Sequence, residues 1–240
     1  LAEKVYKPYL LYGITGSGKT QVYIEAVKQV RQQGRIAMVL VPEIALTGQV
    51  VQAFKAYFGQ DIIVMHSRLS INERNDAILR ARTGEAGIII GARSALFVPV
   101  ENVGIIIMDE EQDNSYKQDE SPRYHARVVA DKLAQLHGAV LLLGSATPSL
   151  ETYYHAIKGD YGLWKLTKRI GNMPLPQIQC ADMRQELKMG RRSVISQPLQ
   201  QLILDTLAKK EQLILMLNRR GFSTRSEERR VGKECVTECR

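Results

Sequence analysis

Short apolar runs recur along the chain, and longer stretches with an amphipathic pattern separate them. Most of these runs are apolar at nearly every position, which is typical of strands that are buried on both faces of a parallel sheet. Strands are predicted at YLLYG (9–13), IAMVLV (36–41), DIIVMH (61–66), AGIIIG (86–91), VGIIIMD (103–109), AVLLLG (139–144) and QLILML (212–217). The pattern therefore favours an α/β fold with a mostly parallel central sheet.

The stretches between these strands have the length and apolar spacing of helices. Helices are predicted over residues 20–34 and 43–59, and each ends on a glycine, a common residue at helix C-termini. Ser70 and Glu73 match the capping box that opens a third helix. Strands that alternate with helices predict a doubly wound sheet, with helices on both faces and ligands at the carboxyl ends of the strands.

The regular alternation weakens after about residue 160. The stretch GNMPLPQ (171–177) is typical of a connector because it contains two prolines and a glycine. We therefore divide the chain into a first domain (1–168) and a connector with the start of a second α/β unit (169–224). Residues 225–240 are charged and lack a core pattern, so we leave this tail unassigned, as a foreign or disordered segment.

Composition narrows the class of protein. The 240 residues are 45% hydrophobic and 24% charged, which is ordinary for a globular protein. The formal net charge of +8 is compatible with a polyanionic partner but does not by itself establish one. We expect neither a membrane span nor a signal peptide, and three cysteines do not form a disulfide framework. A cytoplasmic setting is expected.

The segment GITGSGKT matches the phosphate-binding loop pattern G-x-x-x-x-G-K-[ST] between a predicted strand and a predicted helix. Its glycines allow backbone N–H groups to curl around phosphate oxygens, and the helix N-terminus favours negative charge. Lys19 is expected to reach the β- and γ-phosphates of ATP, and Thr20 to bind Mg²⁺. The nucleotide-binding residues predicted from this segment are Gly13, Thr15, Gly16, Ser17, Gly18, Lys19 and Thr20.

Two further segments follow buried strands. Asp109 at the end of VGIIIMDEE is expected to hold Mg²⁺, and Glu110 to orient and deprotonate the attacking water. Paired carboxylates of this kind favour hydrolysis over phosphoryl transfer to a second substrate, although a solvated acidic turn is the alternative. In GSATPS (144–149), Thr147 is a candidate sensor of the γ-phosphate. The same segment also fits a helix N-cap followed by Pro148 in the first turn.

GITGSGKT, DEEQ and GSATPS, in this order, resemble motifs I, II and III of superfamily 2 helicases. Flanking segments resemble the primosomal replication-restart helicase family in particular. They are LVPEIALTGQ (40–49), MHSRLSINER (65–74), GARSALFVPVENVGIIIMDEEQDNSYKQ (91–118), RYHAR (123–127) and LNRRGFS (217–223). The similarity runs from about residue 8 to residue 224.

This resemblance implies a RecA-like motor domain of an ATP-dependent 3′–5′ DNA helicase, with ATP and Mg²⁺ as cofactors. It also implies single-stranded and forked DNA as partners, together with primosome proteins and single-strand-binding protein. The chain is then expected to be a fragment with the first motor domain and the start of the second. On its own such a fragment is expected to turn ATP over weakly, because the arginine finger of the second motor domain is missing.

The resemblance also implies a role for residues 112–127, the loop after motif II. DNA contact is expected to move this loop, and the loop to adjust the acidic residues around ATP. Tyr116 and Tyr124 would offer stacking faces to bases, and Lys117, Arg123 and Arg127 would contact phosphates. The alternative is that Tyr124 packs under the helix that follows. Arg93 and Ser94 match the family segment that touches the DNA backbone.

The chain departs from the family pattern at several points. Gln112 stands where the family usually has His, and it is expected to link the γ-phosphate side to motif III through hydrogen bonds. The family carries zinc in a Cys-rich module, but Cys235 and Cys239 alone cannot form a closed zinc site, so none is expected here. Two other functions remain open: a restriction-type superfamily 2 translocase, and a nucleotide-binding module without useful turnover.

Overall fold

The computed structural model describes residues 6–45, 48–172, 176–190 and 193–216. The chain divides into two compact units between Leu175 and Pro176. This boundary lies a few residues beyond the limit of 168 that the sequence pattern suggested. The assignment of the second unit to the start of another motor domain stays a prediction.

The first unit is built on a parallel sheet of seven strands. In chain order these are β1 (Lys7–Gly13), β2 (Ile36–Leu40), β3 (Ile62–Met65), β4 (Ile88–Gly91), β5 (Val103–Met108), β8 (Val140–Ser145) and β9 (Gly162–Leu166). Two short strands, β6 (Lys117–Gln118) and β7 (Tyr124–His125), lie outside this sheet. Their order across the sheet is β3-β4-β2-β5-β8-β1-β9. All six residues of β5 are buried, as a central parallel strand requires. The predicted parallel α/β fold is confirmed.

Five helices cover the two faces of this sheet. They are α1 (Lys19–Gln32), α2 (Gln49–Phe58), α3 (Ile71–Thr83), α4 (Ala126–His137) and α5 (Leu150–Lys158). Buried residues of α1 and α2 belong to one hydrophobic cluster, and buried residues of α3, α4 and α5 belong to another. Each cluster packs against one face of the sheet, which is the doubly wound arrangement that the alternating pattern predicts.

The start of each helix depends on local backbone chemistry. The capping box of α3 is present, because Ser70 Oγ accepts from the backbone N–H of Glu73 and the Glu73 carboxylate accepts from that of Ser70. The predicted start of the second helix at Glu43 is wrong. Residues Glu43–Ala45 form a short 3₁₀ turn, and α2 begins only after Gly48, whose extended backbone interrupts the helix.

Sequence patterns missed three of the strands. Strand β9 pairs with β1 at the edge of the sheet, where Trp164 lies against Tyr9 with ring centroids 4.6 Å apart. It was missed because an edge strand is exposed on one side and lacks a continuous apolar run. The other two, β6 (Lys117–Gln118) and β7 (Tyr124–His125), form a small antiparallel pair inside the loop that follows β5.

The second unit contains the helices α6 (Met183–Lys188) and α7 (Gln197–Ala208). The predicted strand over 212–217 is wrong for the residues that can be described. Residues 211–216 have no regular structure, and the side chain of Ile214 is 95% exposed. An apolar run forms a strand only beside a pairing partner, and the described residues of this unit provide none. The segments LNRRGFS and 225–240 lie outside the described residues.

Candidate active site

The loop between β1 and α1 has the geometry of a phosphate cradle. Gly16 and Gly18 have φ values of 78° and 89°, in the left-handed region that favours glycine. The backbone N–H of Ser17 donates to the carbonyl of Ile14 at 3.0 Å, which closes a tight turn. Lys19 Nζ folds back onto the carbonyl of Gly13 at 2.9 Å. The strand and helix that the motif requires are therefore both present.

Several features of this loop fit a bound polyphosphate. The first turn of α1 contains no acidic residue, and its N-cap, Gly18, makes no side-chain capping hydrogen bond. No capping side chain therefore competes with an anion for the N–H groups at this helix end. Within the described residues, Ser17 Oγ is buried without a hydrogen-bond partner. A methyl group at Gly13 would lie 2.6 Å from that same oxygen, so a larger residue there would crowd the loop.

The acidic segment meets this loop at one edge of the sheet. Strand β8 lies between β5 and β1, so Asp109, Ser145 and Gly13 occupy neighbouring strand ends. Asp109 is buried, and its backbone N–H donates to the carbonyl of Leu40 at 2.9 Å. Burial raises the pKa of the Asp109 carboxyl group, while the hydrogen bond from Tyr23 and the charge of Lys19 act in the opposite direction.

Glu110 has a left-handed backbone, with φ of 46°, which is unusual for a residue other than glycine and characteristic of functional sites. Its carboxylate accepts a hydrogen bond of 2.9 Å from Gln112 Nε2. Gln112 Oε1 accepts in turn from Ser145 Oγ at 2.6 Å, and Ser145 Oγ accepts from the backbone N–H of Thr147 at 2.8 Å. The hydrogen bonds expected from Gln112 to the 144–149 segment are therefore present, and the contacts of Gln112 and Thr147 with nucleotide stay predictions.

Sequence reasoning missed Glu111, the third carboxylate of the acidic run. Its side chain is fully buried. Oε1 accepts from the backbone N–H of Ser149 at 2.6 Å, and Oε2 accepts from Thr152 Oγ1 at 3.0 Å and from Arg127 at 3.3 Å. The signal in the sequence was a third acid next to two that already had roles. A buried carboxylate of this kind requires nearby donors.

The loop after motif II contradicts two expectations. Tyr116 is only 1% exposed, and its hydroxyl group donates to the backbone carbonyl of Asp109 at 2.6 Å. The tyrosine therefore packs in the core and offers no stacking face in this conformation. Arg127 turns inward to Glu111, so its guanidinium group is not displayed for a phosphate. Both side chains satisfy buried polar partners, which is why they leave the surface.

The other loop residues remain accessible. Tyr124 is half-buried and packs edge-to-face on Phe97, with ring centroids 5.3 Å apart, so part of its ring stays open to solvent. Lys117 and Arg123 are exposed. Lys117 forms a surface ion pair with Asp119 at 3.0 Å, and Arg123 Nε donates to the carbonyl of Asp119. With Tyr124 they line a groove of about 540 Å³.

Arg93 and Ser94 lie beside this loop. Arg93 donates to the carbonyls of Ser115 and Lys117, at 2.9 and 2.7 Å, so it holds the loop in place as well as facing solvent. Arg93, Ser94 and Tyr124 line a second groove of about 350 Å³. The structure therefore brings the DNA candidates together, apart from Tyr116, and DNA contact itself stays a prediction.

The residues predicted to hold Mg²⁺ are Thr20, at the start of α1, and Asp109. Their hydroxyl and carboxylate oxygens are the hard ligands that Mg²⁺ prefers. In the described part of the chain, no cluster of three or more His, Cys, Asp or Glu residues is arranged to hold a metal ion. Cys180 is free and exposed, whereas Cys235 and Cys239 lie outside the described residues. Among the described helices, none combines the length and the apolar character of a membrane-spanning segment.

Comparison with known proteins identifies the class. Residues 3–155 match the DEAD/DEAH box helicase family, and the chain belongs to this family. It is 48% identical over 219 residues to replication restart protein PriA of Bacillus subtilis (strain 168). It is also 46% identical over 224 residues to replication restart protein PriA of Synechocystis sp. (strain ATCC 27184 / PCC 6803 / Kazusa). The resemblance to the primosomal replication-restart helicases is thereby confirmed.

Each of these alignments covers 91% of this chain but only 27% of the relative, so the chain spans about a quarter of the length of these relatives. Among solved structures, the helicase domain of Pyrococcus furiosus Hef is similar, with a TM-score of 0.50 and 18% identity. That similarity covers 70% of this chain and 36% of the Hef chain, and it supports the fold alone. Family membership implies dependence on a nucleotide and Mg²⁺ in general.

Proposed function

We propose that this chain supplies the first motor domain of a replication-restart DNA helicase, which uses ATP hydrolysis to move 3′ to 5′ along single-stranded DNA and to remodel forked DNA. One observation carries the proposal. The phosphate-binding loop, the carboxylates of Asp109 and Glu110, and the 144–149 segment lie at neighbouring strand ends, and Gln112 joins the last two by hydrogen bonds. The similarity to replication restart protein PriA supports the particular process.

ATP is the substrate in this proposal, and its phosphates occupy the loop from Gly13 to Thr20. Lys19 leaves the carbonyl of Gly13 to pair with the β- and γ-phosphates, because an anionic oxygen is a stronger partner than a neutral carbonyl. Thr20 and Asp109 would hold Mg²⁺, which supplies neutralisation of phosphate charge. The burial of Asp109 strengthens its attraction to a cation, since the surrounding dielectric is low.

Glu110 is the proposed general base. A water oxygen attacks the γ-phosphorus, the bond to the β–γ bridging oxygen breaks, and the water proton passes to the Glu110 carboxylate. Glu110 is half-buried and oriented by Gln112, so it is accessible and held in place at the same time. The link from Gln112 through Ser145 to Thr147 would report the loss of the γ-phosphate to the segment before α5.

DNA would contact the exposed face of the same domain. Lys117 and Arg123 supply positive charge, Tyr124 supplies a partly open ring, and Arg93 with Ser94 lines the neighbouring groove. Primosome proteins and single-strand-binding protein are the partners that the resemblance implies. The cytoplasmic setting is the expectation that the small number of cysteines supports.

The proposal is tested by two substitutions in the full-length protein. Lys19→Ala should abolish ATP binding measured by calorimetry, whereas Lys28→Ala, an exposed lysine on the same helix, should leave it unchanged. Glu110→Gln should retain ATP affinity and lose at least about 100-fold in turnover. The matched control is Glu101→Gln at an exposed glutamate.

Strand displacement on forked DNA separates the proposed helicase from a restriction-type translocase, which would move on duplex DNA without unwinding it. Unwinding that depends on ATP and fails in Glu110→Gln supports the proposal. An unchanged ATP affinity in Lys19→Ala would refute the assignment of the loop. Turnover within a few-fold of the parent in Glu110→Gln would show that another residue acts as the base.

A further inference from the structure

The buried Glu111 carboxylate connects two segments that follow different strands. Through Ser149 and Thr152 it holds the N-terminus of α5, after β8. Through Arg127 it holds the first turn of α4, at the end of the loop that starts at Gln112. Its own backbone N–H donates to the carbonyl of Gly144 at 3.1 Å. The Glu111 side chain therefore links the N-terminus of α5 to the first turn of α4, beside the candidate active site.

Arg127 is the cation of this cluster, and it has several acceptors within reach. One terminal nitrogen lies 2.7 Å from Ser149 Oγ, 2.8 Å from Thr152 Oγ1 and 3.3 Å from Glu111 Oε2. The distance to the carboxylate is longer than the ~2.7–2.9 Å of a strong charge-assisted hydrogen bond. The guanidinium group can therefore bond more closely either to the two hydroxyl groups or to the carboxylate without leaving the cluster.

Glu111 and Arg127 each lie close in the chain to a residue of the proposed function. Glu111 follows Glu110, the proposed base, whose backbone is in the left-handed region. Arg127 lies four residues after Arg123, an exposed cation of the loop. Strand β7 lies between Arg123 and Arg127 in the chain, and Arg127 donates to Ser149 Oγ, the N-cap of α5.

We propose that Glu111 and Arg127 are positioning residues whose ion pair transmits the state of the 112–125 loop to Glu110 and to the N-terminus of α5. The inference rests on the proposed function, because it assumes that DNA stimulates ATP hydrolysis. In this role neither residue needs to touch the nucleotide. They determine how well Glu110 and the 144–149 segment are placed when nucleic acid binds the loop.

The first test measures ATP hydrolysis by the full-length protein with and without single-stranded DNA. Arg127→Met should lower the DNA-stimulated rate about tenfold at saturating DNA, while basal hydrolysis and DNA affinity remain within about twofold of the parent. Arg127→Lys keeps the charge but not the planar group, and it should recover part of the stimulation. Lys132→Met, at an exposed lysine of the same helix, is the matched control and should behave as the parent.

A double substitution tests whether the two residues act together. If they act through one pair, Glu111→Gln combined with Arg127→Met should lose no more stimulation than the more affected single variant. Losses that multiply would overturn the pair as the point of transmission. Full stimulation in Arg127→Met would overturn the proposal outright, and so would a proportional fall of basal and stimulated rates, since that result indicates general destabilisation.

Amide hydrogen exchange gives a readout that does not depend on activity. DNA should change exchange in the first turn of α5, residues 150–153, in the parent. This change should disappear in Arg127→Met and persist in part in Arg127→Lys. A change of the parent's full size in Arg127→Met contradicts the proposal. A parent protein that shows DNA binding but no DNA-stimulated hydrolysis would instead overturn the proposed function, so the two failures are distinguishable.

Discussion

The hydroxyl group of Tyr23 donates a hydrogen bond of 2.8 Å to Oδ1 of Asp109. Tyr23 belongs to the helix that follows the phosphate-binding loop, and Asp109 follows the central strand β5, so the bond connects the two halves of the candidate ATP site. Tyr116 holds the backbone carbonyl of the same aspartate. Two buried phenol groups thus hold Asp109, Tyr23 at the carboxylate that would bind Mg²⁺ and Tyr116 at the backbone, and neither role was visible in the sequence motifs.

Replacing Tyr23 by Phe should weaken Mg²⁺ binding without removing it. The change leaves the ring in place but deprives Asp109 Oδ1 of its donor, and it removes an influence that lowers the pKa of the carboxyl group. We expect the Mg²⁺ concentration for half-maximal ATP hydrolysis to rise about three- to tenfold, and the free energy of unfolding to fall by about 1 kcal/mol. Tyr57→Phe, at an exposed tyrosine, is the control. An unchanged Mg²⁺ dependence would contradict the role of Tyr23.

Asp109→Asn should raise the melting temperature at neutral pH in the absence of Mg²⁺. Burial raises the pKa of Asp109 above its unfolded value. At pH values between the unfolded and the folded pKa, the folded state therefore holds a proton that the unfolded state has already lost. Stability therefore falls as the pH rises from the unfolded pKa to the folded pKa, and it stays lower above that window. Each kcal/mol of relief should raise the melting temperature by about 2–4 °C.

The stabilising effect of Asp109→Asn should shrink as the pH falls through the folded pKa, and it should be small at about pH 4, close to the unfolded pKa of aspartate. Calorimetric melting curves at pH 4 and pH 7 measure the difference. The same variant should lose Mg²⁺-dependent hydrolysis, because an amide is a weaker ligand than a carboxylate. A melting temperature that is lower at pH 7 than that of the parent would show that the ionised carboxylate stabilises the fold.

Tyr116 and Tyr124 should behave differently when each is replaced by alanine. Tyr116 is buried and bonded to Asp109, so Tyr116→Ala should lower the free energy of unfolding by about 3 kcal/mol or more. Tyr124 is half-buried on Phe97, so Tyr124→Ala should lower it by about 1 kcal/mol. Single-stranded DNA affinity should fall about fivefold or more in Tyr124→Ala only. Denaturant unfolding and fluorescence anisotropy measure the two quantities, and the reverse ranking in either would contradict the assignment.

A larger residue at position 144 should destabilise the folded protein while Tyr23 is present. A methyl group at Gly144 would lie 1.7 Å from the Tyr23 hydroxyl oxygen, which is impossible without displacement of the ring. Gly144→Ala should therefore lower stability by about 1–3 kcal/mol, and Tyr23→Phe should relieve part of that loss. Chemical denaturation of the two single variants and the double variant gives the coupling free energy. Simple additivity would rule out the contact as the cause.

The fold could be predicted from the sequence where the pattern reflects complete burial. Strand β5 and its neighbours are apolar throughout because helices cover both faces, and GITGSGKT is specific because phosphate binding requires glycine at fixed places. Strand β9 could not be predicted because its stability comes from pairing with β1, which local sequence does not encode. The strand predicted over 212–217 is wrong for the opposite reason. The apolar pattern is present, but the described part of this unit contains no strand with which residues 212–216 could pair.

The candidate site was predictable only for residues that act through a motif. Asp109 and Glu110 stand at a strand end by rule, whereas the partners of Glu111 lie 16, 38 and 41 positions away, at Arg127, Ser149 and Thr152. Which polar groups meet over such separations is decided by packing. Tyr116 shows the same limit, because an aromatic residue in a polar loop fits a nucleic-acid platform and a core residue equally well from its sequence alone.

Strand β9 also decides where the chain can be cut. Sequence alternation fades near residue 160, and a fragment that stopped there would lack β9 and leave β1 at the border of the sheet. The unpaired N–H and C=O groups of β1 would then be a template for strands of other molecules, a known cause of aggregation. The same cut would remove Ile170, whose backbone N–H donates to the carbonyl of Gly16 in the phosphate-binding loop. A fragment that binds ATP without aggregating must therefore extend at least through residue 172.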